Sequence, residues 1–392
     1  MRILRIHPFY PSSAYSVKRG GMRYEQDRRL VARGFKICVL SCKTFGAPAS
    51  ETLEEIEVYR VPSFVLPVIE YPLPNLLLLY AWVATLVKRN KIDLVHVEDG
   101  AYLTSLLVLL VKSRLRKPVI LSMQGFPGFS WVYGSFLVDL IAKVYAFSVG
   151  KLVLNAANRL VLAATAFADD AVRLGVPQKK VDVIPRGIDL RVYHPDLNSR
   201  NTLRNLLGVK DDETMVLFAG RLVPVKGLKY FVETAKKVLE ENGNRRLKFV
   251  VAGDGILRSK YQKETSNLRS NIKFIGYRKD MPAVMNATDI FVLSSISEGC
   301  PNAVIEAGAC AKPVVATDVG AASDIIVAGE TGIIVEPRNV DALCDGLRKL
   351  LDSGSAEEMG KKAADRIRKL FDWTIVTSRW EKVYRETLKF QS

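Results

Sequence analysis

The stretch EGCPNAVIEAGACAKP, Glu298–Pro313, decides how the rest of the chain is interpreted. It lies between two short apolar runs, Ile290–Leu293 and Pro313–Ala316, and each run has the length of a buried strand. Pro301 favours the first turn of a helix, and the residues after it have helix-forming composition. Strand, loop, helix and strand in this order are the repeating unit of an α/β domain with a parallel sheet.

Two glutamates within this stretch, Glu298 and Glu306, have seven residues between them. The spacing predicts that Glu298 lies in the loop at the carboxyl end of the first strand and that Glu306 lies on the helix that follows. In open α/β sheets, ligands bind in the crevice at that end of the strands. Spacing alone is equally compatible with a surface loop and a solvated helix glutamate, so the rest of the chain has to decide.

Length and composition restrict the class of protein. A chain of 392 residues is longer than one ordinary core requires, which predicts two domains. The five cysteines are scattered without CxxC spacing, which indicates reduced thiols rather than disulfides or a zinc site. With three histidines and no HExxH or paired-histidine spacing, no protein-ligated catalytic metal is expected.

The net charge of +16 is concentrated in the first half of the chain. Residues 1–186 contain 25 Lys and Arg against 14 Asp and Glu, and the remaining residues contain 32 against 27. A basic half indicates an acidic partner, such as nucleic acid, anionic lipid headgroups or a phosphorylated substrate, unless the protein is simply basic. The basic residues are not interleaved with aromatic residues and no nucleic-acid-binding module is recognisable, so nucleic acid is not the expected partner.

Three apolar stretches of helical composition, residues 75–87, 102–111 and 132–149, are flanked by basic residues. None reaches the roughly 18–20 uninterrupted apolar residues of a membrane span, and the first residues turn polar too soon for a secretory signal. We therefore expect a cytoplasmic protein with most of this apolar surface in its core.

The alternative for these stretches is a peripheral protein. One helix would present an apolar stripe with a basic rim to the anionic inner face of a membrane. Leu76–Lys91 is the favoured helix for this role, because Tyr80 and Trp82 suit a membrane interface.

Strands and helices alternate in both halves of the chain, which predicts two doubly wound domains. The first domain covers residues 1–190. It begins with a strand, a loop that contains Gly20 and Gly21, and a helix. The backbone amides at the start of that helix suit an anion, although a plain turn explains the two glycines equally well.

The alternation breaks near Pro185, and the polar residues 195–200 indicate a linker. It restarts in a second domain, residues 200–371. A terminal helix, about residues 372–392, has no sheet left to extend, so we expect it to pack across the domains.

Three loops of the second half follow the carboxyl end of a predicted strand, and together they suggest one site. The first, Gly220–Gly227, carries Arg221 and Lys226 around a turn that opens a helix, and these two cations suit a diphosphate. The second is the tight turn Gly253–Gly255, and the third is the stretch with the two glutamates. A nucleotide-sugar site needs cations that bind the phosphates and, beside them, carboxylates that accept hydrogen bonds from hydroxyls. These three loops supply both.

Four ordered motifs now carry a family resemblance: VIPRGID from Val183, AGRLVPVKG from Ala219, AGDG from Ala252 and SEGCPNAVIEAGACAKPVVATDVG from Ser297. Together they resemble the family-4 retaining glycosyltransferases, the glycosyl transferases group 1, whose hallmark is the EX7E element formed here by Glu298 and Glu306. The resemblance runs along nearly the whole chain. It implies the GT-B fold, with two Rossmann-like domains facing across a cleft and a C-terminal helix that crosses back to the first.

The resemblance also assigns roles to residues. Arg221 and Lys226 would hold the donor diphosphate and stabilise the leaving group, and Glu298 would complete the catalytic set by facing the sugar hydroxyls. Glu306 would accept hydrogen bonds from the ribose. The donor-binding residues implied in this way are Gly20, Gly21, Gly220, Arg221, Lys226, Gly253, Asp254, Gly255, Glu298, Gly299, Cys300, Pro301, Asn302 and Glu306.

The implied reaction is sugar transfer with retention of configuration, without metal or other cofactor, from a UDP- or GDP-sugar. The acceptor would be a lipid-linked, phosphorylated or saccharide molecule in glycolipid, lipid-linked saccharide or cell-surface polysaccharide synthesis. The alternatives are transfer to a soluble acceptor and a sugar-nucleotide epimerase or a phosphorylase of the same fold. A polyanion-binding protein is a remote alternative.

Three residues are assigned to the acceptor side. Gln124 stands where the family commonly has a histidine, and Arg186 stands where it commonly has an asparagine. His96 matches a family position, although a structural histidine at a strand end is equally compatible with the sequence. A glutamine exchanges hydrogen bonds but does not titrate, so Gln124 bears on which donor sugar is used.

Overall fold

The computed structural model describes residues 1–13, 21–43, 46–66, 71–100, 103–126, 136–241, 246–352 and 354–389. Its contacts divide the chain into two compact units. Unit 1 contains residues 1–187 together with the last helix, which begins at Trp373, and unit 2 is Ile188–Asp372. The predicted boundaries lay at residues 190, 200 and 372.

Strands make up two main sheets. The strands of unit 1 are β1 Arg2–His7, β2 Lys36–Cys42, β3 Ser50–Leu53, β4 Ile56–Val61, β5 Ser63–Leu66, β6 Tyr71–Pro74, β7 Leu94–Glu98, β8 Val119–Met123, β9 Arg159–Leu162 and β10 Val181–Val183. Those of unit 2 are β11 Thr214–Ala219, β12 Leu247–Ala252, β13 Ile272–Gly276, β14 Ile290–Leu293, β15 Val314–Thr317 and β16 Ile333–Val335.

Both sheets are parallel, as predicted. In unit 1 the strand order is β10-β9-β8-β7-β1-β2-β4-β3, and only the edge strand β3 runs antiparallel to its neighbour. Strands β5 and β6 form a separate hairpin. In unit 2 the order is β13-β12-β11-β14-β15-β16. The apolar runs form strands of this kind because helices cover both faces of a parallel sheet, and the central strands β7, β8 and β14 are accordingly buried along their whole length.

Helices connect the strands. They are α1 Gly21–Val31, α2 Leu76–Arg89, α3 Leu107–Leu110, α4 Phe136–Tyr145, α5 Lys151–Ala156, α6 Ala168–Arg173, α7 Leu197–Leu207, α8 Leu228–Glu241, α9 Arg258–Glu264, α10 Met281–Ala287, α11 Asn302–Ala309, α12 Ala322–Ile325, α13 Val340–Asp352, α14 Ala356–Leu370 and α15 Trp373–Lys389. A π-helical turn, Ala146–Gly150, joins α4 to α5, and we call this continuous run the α4–α5 helix. Among the residues described, no helix has the length and apolar composition needed to span a membrane.

The predicted linker at residues 195–200 is wrong, because α7 begins inside it. The side chain of Asp196 accepts hydrogen bonds from the backbone amides of Asn198 and Ser199, at 3.0 and 3.2 Å, and so caps the helix. The polar residues that indicated a linker are therefore the start of a helix.

The favoured membrane helix, α2, turns most of its apolar side chains inward. Leu79, Val83 and Leu86 are buried, and the ring of Trp82 packs against that of Tyr59 with 5.6 Å between centroids. Its exposed apolar surface is limited to the first turn. The preference for this helix rested on Tyr80 and Trp82, and both of these residues are half-buried.

The terminal helix α15 packs against the core of unit 1 through its aromatic face. Trp373, Trp380 and Tyr384 are buried there. Gly187 lies directly under the indole of Trp373, where a β-carbon would approach the ring to 2.4 Å. The close approach explains why unit 1 is made of two separate segments of the chain.

Candidate functional site

The loop between β11 and α8 carries the two predicted cations. After β11 the chain makes a short 3₁₀ turn, Pro224–Lys226, and then passes through Gly227, whose φ is +67°. A β-carbon on Gly227 would lie 1.8 Å from the backbone oxygen of Ser294, so a side chain there would collide with the loop after β14. This glycine is what lets the first and third predicted loops touch.

The second loop supports the first through backbone contacts. The amide of Leu222 donates to the carbonyl of Asp254 at 2.9 Å, and the amide of Leu257 donates to the carbonyl of Leu222 at 3.0 Å. Gly253, with φ of +140°, leaves no room for a side chain, because a β-carbon would lie 1.8 Å from the oxygen of Gly220. The AGDG motif therefore fixes the shape of the first loop.

Asp254 has a local structural role in this turn. Its carboxylate accepts from the amide of Gly255 at 2.8 Å and from the guanidinium of Arg258 at 3.0 Å. The side chain thus closes the strand-to-helix turn. The structure gives no separate contact that points it toward a ligand.

The third loop, after β14, positions Glu298. The amide of Ile296 donates to the carbonyl of Val225 at 2.8 Å, which ties this loop to the first. The hydroxyl of Ser295 donates to Glu298 at 2.7 Å, and Glu298 is only 6% exposed. A buried carboxylate needs partners of this kind, because loss of hydration otherwise disfavours its charge.

Lys226 and Glu298 form the ion pair at the centre of the three loops. The Nζ atom of Lys226 lies 2.6 and 2.7 Å from the two carboxylate oxygens of Glu298. Arg221, three residues before this turn, is exposed, and its side chain makes no hydrogen bond or ion pair within the described part of the chain. One cation is therefore held in place and the other is available to an incoming anion.

Glu306 lies behind this pair on α11. Burial raises the pKa of its carboxyl group to about 7, although a hydrogen bond from the hydroxyl of Tyr193 works in the opposite direction. Tyr193 comes from the loop before α7. A carboxyl group that titrates near neutrality is ready to take up hydrogen-bond donors, since each one it gains favours the charged form.

The residues between the two glutamates line the start of α11. The side-chain oxygen of Asn302 is buried and has no hydrogen-bond partner among the described residues, so it is an unused acceptor at the mouth of the site. Cys300 and Pro301 are buried, and the carbonyl of Gly299 accepts from the amide of Ala321 at 2.9 Å. The structure thus brings the predicted donor-binding residues of unit 2 together around Lys226 and Glu298.

On the edge of unit 1 that corresponds to the predicted acceptor side, two predicted residues touch each other. The Nε atom of Arg186 donates to the side-chain oxygen of Gln124 at 3.1 Å. Both residues are half-buried and follow the carboxyl ends of β8 and β10. Two of the residues that the sequence assigned to the acceptor side are therefore in contact. Of the predicted glycine pair, Gly21 begins α1 and Gly20 lies outside the described residues.

His96 does not belong to this edge. It is fully buried, and its two ring nitrogens are hydrogen-bonded to the hydroxyls of Tyr384 and Ser122, at 2.7 and 2.9 Å. Its ring also packs against that of Trp380, with 5.0 Å between centroids. Burial lowers its pKa well below the usual value. The assignment to the acceptor side is corrected accordingly: His96 holds the terminal helix on the sheet.

A buried ionic cluster at the ends of β1 and β7 was not predicted. Glu98 pairs with Arg5 and Arg23, and Arg5 also pairs with Asp27. Burial opposes the charge of Glu98, but its cationic neighbours hold the pKa well below the usual range, whereas burial raises the pKa of Asp27 to about 6. The available signal was the presence of charged residues within apolar strands.

Two further residues of unit 2 were missed. Ser295 holds Glu298, and Tyr193 reaches Glu306. The serines directly before the glutamate in LSSISEG offered a sequence signal for the first. No local pattern links Tyr193 to a glutamate more than a hundred residues away.

Comparison with known proteins follows the same division of the chain. The family model described as Glycosyl transferases group 1 matches residues 199–366, and the model described as Glycosyltransferase Family 4 matches residues 24–192. A UDP-Gal:alpha-D-GlcNAc-diphosphoundecaprenol alpha-1,3-galactosyltransferase of Escherichia coli is 28% identical over 84% of this chain and 83% of its own length. A D-inositol 3-phosphate glycosyltransferase of Kribbella flavida is 29% identical over 75% of this chain and 71% of its own.

Two solved structures illustrate the fold. HepE of Anabaena, crystallised with UDP, has a TM-score of 0.77 at 19% identity and covers 98% of this chain and 100% of its own. Sucrose-phosphate synthase of Thermosynechococcus elongatus has a TM-score of 0.79 at 20% identity and covers both chains completely. At these identities the likeness concerns the arrangement of the elements.

Proposed function

The chain belongs to the family-4, group 1 glycosyltransferases of GT-B fold and acts on nucleotide sugars, and we propose that it transfers the sugar with retention and without a bound metal to a lipid-linked or phosphorylated acceptor. The product would enter glycolipid, lipid-linked saccharide or cell-surface polysaccharide synthesis. The protein would work in the cytoplasm, at the inner face of the membrane.

The arrangement of Arg221 and Lys226 carries this proposal. Arg221 is exposed with no side-chain partner among the described residues, and Lys226 is fixed on Glu298 within the same loop. A diphosphate entering here gains a planar guanidinium and a point charge. As the bond to the sugar breaks, negative charge grows on the leaving diphosphate, and positioned cations lower the barrier by stabilising that charge.

The same two cations explain why we propose a reaction without a metal. In metal-dependent transfers a divalent cation supplies the charge that stabilises the leaving group. Here Arg221 and Lys226 stand where that charge is needed. Other cofactors are likewise not part of the proposal, since the nucleotide sugar brings its own leaving group.

Glu298 and Glu306 would each accept hydrogen bonds from hydroxyls of the donor, Glu298 from the transferred sugar and Glu306 from the ribose. Glu298 accepts from Lys226 on both oxygens, so it orients that lysine as well as facing the sugar. Glu306 would accept hydrogen bonds from the ribose, and the free oxygen of Asn302 adds an acceptor close by. Ribose is common to all the donors considered, whereas the partner of Glu298 depends on the sugar.

Retention is proposed from the family resemblance. The acceptor hydroxyl would attack from the face that the diphosphate leaves, and a phosphate oxygen of the donor would take its proton. The anomeric configuration of the product, measured by NMR, tests this step directly. An inverted product would contradict it.

For the donor base we propose uridine, with guanosine as the alternative. The Escherichia coli relative is named for UDP-Gal, and HepE was crystallised with UDP and with UDP-glucose. For the acceptor, the two relatives are named for a diphosphoundecaprenol-linked sugar and an inositol phosphate, both of which carry phosphate. Arg186, braced by Gln124, would meet such an anionic group.

The experiment is a thermal-shift panel of UDP, GDP and ADP with their sugars, followed by transfer assays. A ligand that binds only the folded state raises the unfolding temperature. We expect a uridine nucleotide to stabilise the wild type and Arg221→Ala to lose most of that shift. Arg246→Ala is the matched control, because its side chain is also exposed but pairs with Asp212, away from the three loops. Equal nucleotide-induced shifts of the unfolding temperature in Arg221→Ala and Arg246→Ala would refute the assignment of Arg221 to the diphosphate.

A further inference from the structure

The α4–α5 helix is apolar on both of its faces. Its inner face is buried through Ala146, Gly150, Val153 and Leu154. A helix that is hydrophobic all round is normally buried on all sides. This helix is buried on only one.

Its outer face carries seven large apolar side chains that are 45% to 86% exposed. They are Phe136, Leu137, Leu140, Ile141, Val144, Phe147 and Leu152. From Phe136 to Phe147 they repeat at three- and four-residue spacings, and Leu152 follows across the π-helical turn, so they form one stripe along roughly 25 Å of helix. We call this set the α4–α5 stripe. Soluble monomers rarely expose contiguous apolar patches beyond a few hundred Å², and larger ones mark interaction sites.

We propose that the α4–α5 stripe docks unit 1 on an anionic lipid bilayer, with the helix lying at the boundary between headgroups and acyl chains. This inference rests on the proposed function, because transfer to a lipid-linked acceptor is the reason why the protein would need to bind a membrane. Apolar side chains enter the acyl region while basic groups at its margin meet anionic headgroups, which is how interfacial helices bind.

The charges around the stripe are mainly basic, since Asp139, which is half-buried, is the one acidic residue on the helix Phe136–Ala156. Lys143 and Lys151 are exposed on the same helix. At its end, Lys180 donates to the backbone oxygens of Asn155 and Ala157, at 3.0 and 3.2 Å, and it lies close enough to Lys112 to be affected by that charge. Each basic residue held near an anionic surface adds about 1 kcal/mol to binding.

A second copy of this chain fits the stripe less well. A two-fold interface places the same patch of both copies face to face. Such an interface would bring Lys143 and Lys151 of both copies into an environment of low polarity, where like charges repel strongly, with one acidic residue per helix, Asp139, to offset them. The bilayer offers these lysines opposite charges instead.

The stripe begins at the edge of unit 1 that carries Gln124 and Arg186. Helix α4 follows β8, so Phe136 lies toward the carboxyl end of the sheet. Two more exposed apolar residues, Phe64 at 65% and Leu77 at 82%, belong to elements that leave the same edge. Docking through this region would present the acceptor edge to headgroups at the membrane surface.

The test is co-sedimentation of the full chain with vesicles of phosphatidylcholine alone or mixed with phosphatidylglycerol. The triple variant L137Q/I141Q/V144Q should bind the mixed vesicles at least about tenfold more weakly, since it removes three side chains from apolar contact. The matched control is L197Q/L206Q in α7, where both leucines are similarly exposed, at 75% and 69%. The control should bind like the wild type.

A second variant separates charge from apolar contact. Lys143→Gln with Lys151→Gln should lose most of the preference for phosphatidylglycerol, by about fivefold for each lysine. Absence of wild-type binding to the mixed vesicles, or equal binding by the stripe and control variants, would overturn the proposal. So would a wild-type dimer in analytical ultracentrifugation that L137Q/I141Q/V144Q converts to a monomer, because the stripe would then be an interface between copies.

Thermal-shift measurements with nucleotides on the same proteins distinguish the docking proposal from the donor-site proposal. The stripe variant should keep the full stabilisation by the donor nucleotide. Normal stabilisation without vesicle binding would refute docking alone. Vesicle binding without stabilisation by any nucleotide would refute the donor site while leaving the docking surface intact.

Discussion

The two units differ in the residues that lie at the carboxyl edges of their sheets. In unit 2, three loops are locked together by backbone contacts, with Gly227 and Gly253 packed where no side chain fits. They hold one cation in an ion pair and leave Arg221 exposed. In unit 1, the charged residues at the ends of β1 and β7 are buried and paired with one another. Among the described residues, the Gln124–Arg186 contact and an apolar helix face are at least partly accessible there. The edge of unit 2 is the one for which we propose donor binding, and the edge of unit 1 carries Gln124 and Arg186, which the sequence assigned to the acceptor side.

The largest expected effect concerns the locking of the donor loops. Gly227→Ala places a β-carbon against the backbone oxygen of Ser294 and should lower the free energy of unfolding by about 3 kcal/mol or more. Gly208→Ala is a close control, because its φ of +68° matches the +67° of Gly227 but nothing lies within 4 Å of the new atom. That variant should lose only about 1 kcal/mol, for the left-handed backbone. Urea unfolding measures both, and similar losses would mean that the loops are not locked.

The second prediction tests the core of unit 1. Tyr384→Phe removes the hydroxyl that bonds His96 and leaves a buried ring nitrogen without its partner, which should cost about 1–3 kcal/mol of stability. Tyr59→Phe is the control, because its hydroxyl bonds an exposed carboxylate, and it should change stability by less than about 0.5 kcal/mol. If Tyr384→Phe leaves the free energy of unfolding unchanged, His96 would again be a candidate ligand-binding residue.

These two regions show how far the sequence predicts the fold. The apolar runs predicted the parallel strands closely, β14 to the residue, because strands buried on both faces leave a continuous signal. The linker was wrong because Asp196 and its neighbours have the same polar composition in a capped helix as in a loop. The role of His96 depends on Tyr384, 288 residues away, and no local pattern reports such a contact.

The sequence likewise predicted some residues of the candidate site and missed the contacts between distant ones. Arg221, Lys226 and Glu298 were predicted because charges at strand ends are visible in the sequence, and the structure brings the lysine and the glutamate into contact. The Gln124–Arg186 contact joins positions 62 residues apart, so composition could not show it. Which apolar helix is exposed also depends on the packing of the whole unit. The sequence therefore predicts the charged residues of the proposed donor site, but not the contacts that we propose for specificity and docking.

The third prediction concerns pH and the donor edge. The folded-state pKa of Glu306, about 7, lies above the usual value of 4.5, so the folded state holds a proton that the unfolded chain has lost between these values. Stability should therefore fall as pH rises from about 4.5 to 7, by on the order of 2 kcal/mol. Binding of the nucleotide should strengthen over the same range, because the charged carboxylate accepts more hydrogen bonds. Glu306→Gln should flatten both profiles, and an unchanged pH dependence in calorimetry would contradict the assignment.

The smallest expected effect belongs to the contact between Gln124 and Arg186. A double-mutant cycle of Gln124→Ala and Arg186→Ala should give a coupling of about 1 kcal/mol in unfolding free energy, the scale of one hydrogen bond to a charged group. Arg186→Lys keeps the charge but not the planar fork and should lose most of the coupling. Fully additive losses would mean that the two departures from the family pattern act independently.

The central claim is that the donor unit grips a nucleotide diphosphate through fixed cations, and Lys226→Ala tests it most directly. Lys229→Ala is the matched control three residues later, where the lysine is 59% exposed and its recorded ion pair is with Glu233 on the same helix. Titration calorimetry with the nucleotide, together with the rate of sugar transfer, compares the two. The account predicts that Lys226→Ala weakens binding and slows transfer about 100- to 1,000-fold, while Lys229→Ala stays within about twofold of wild type. Equal binding and transfer by the two variants would contradict it.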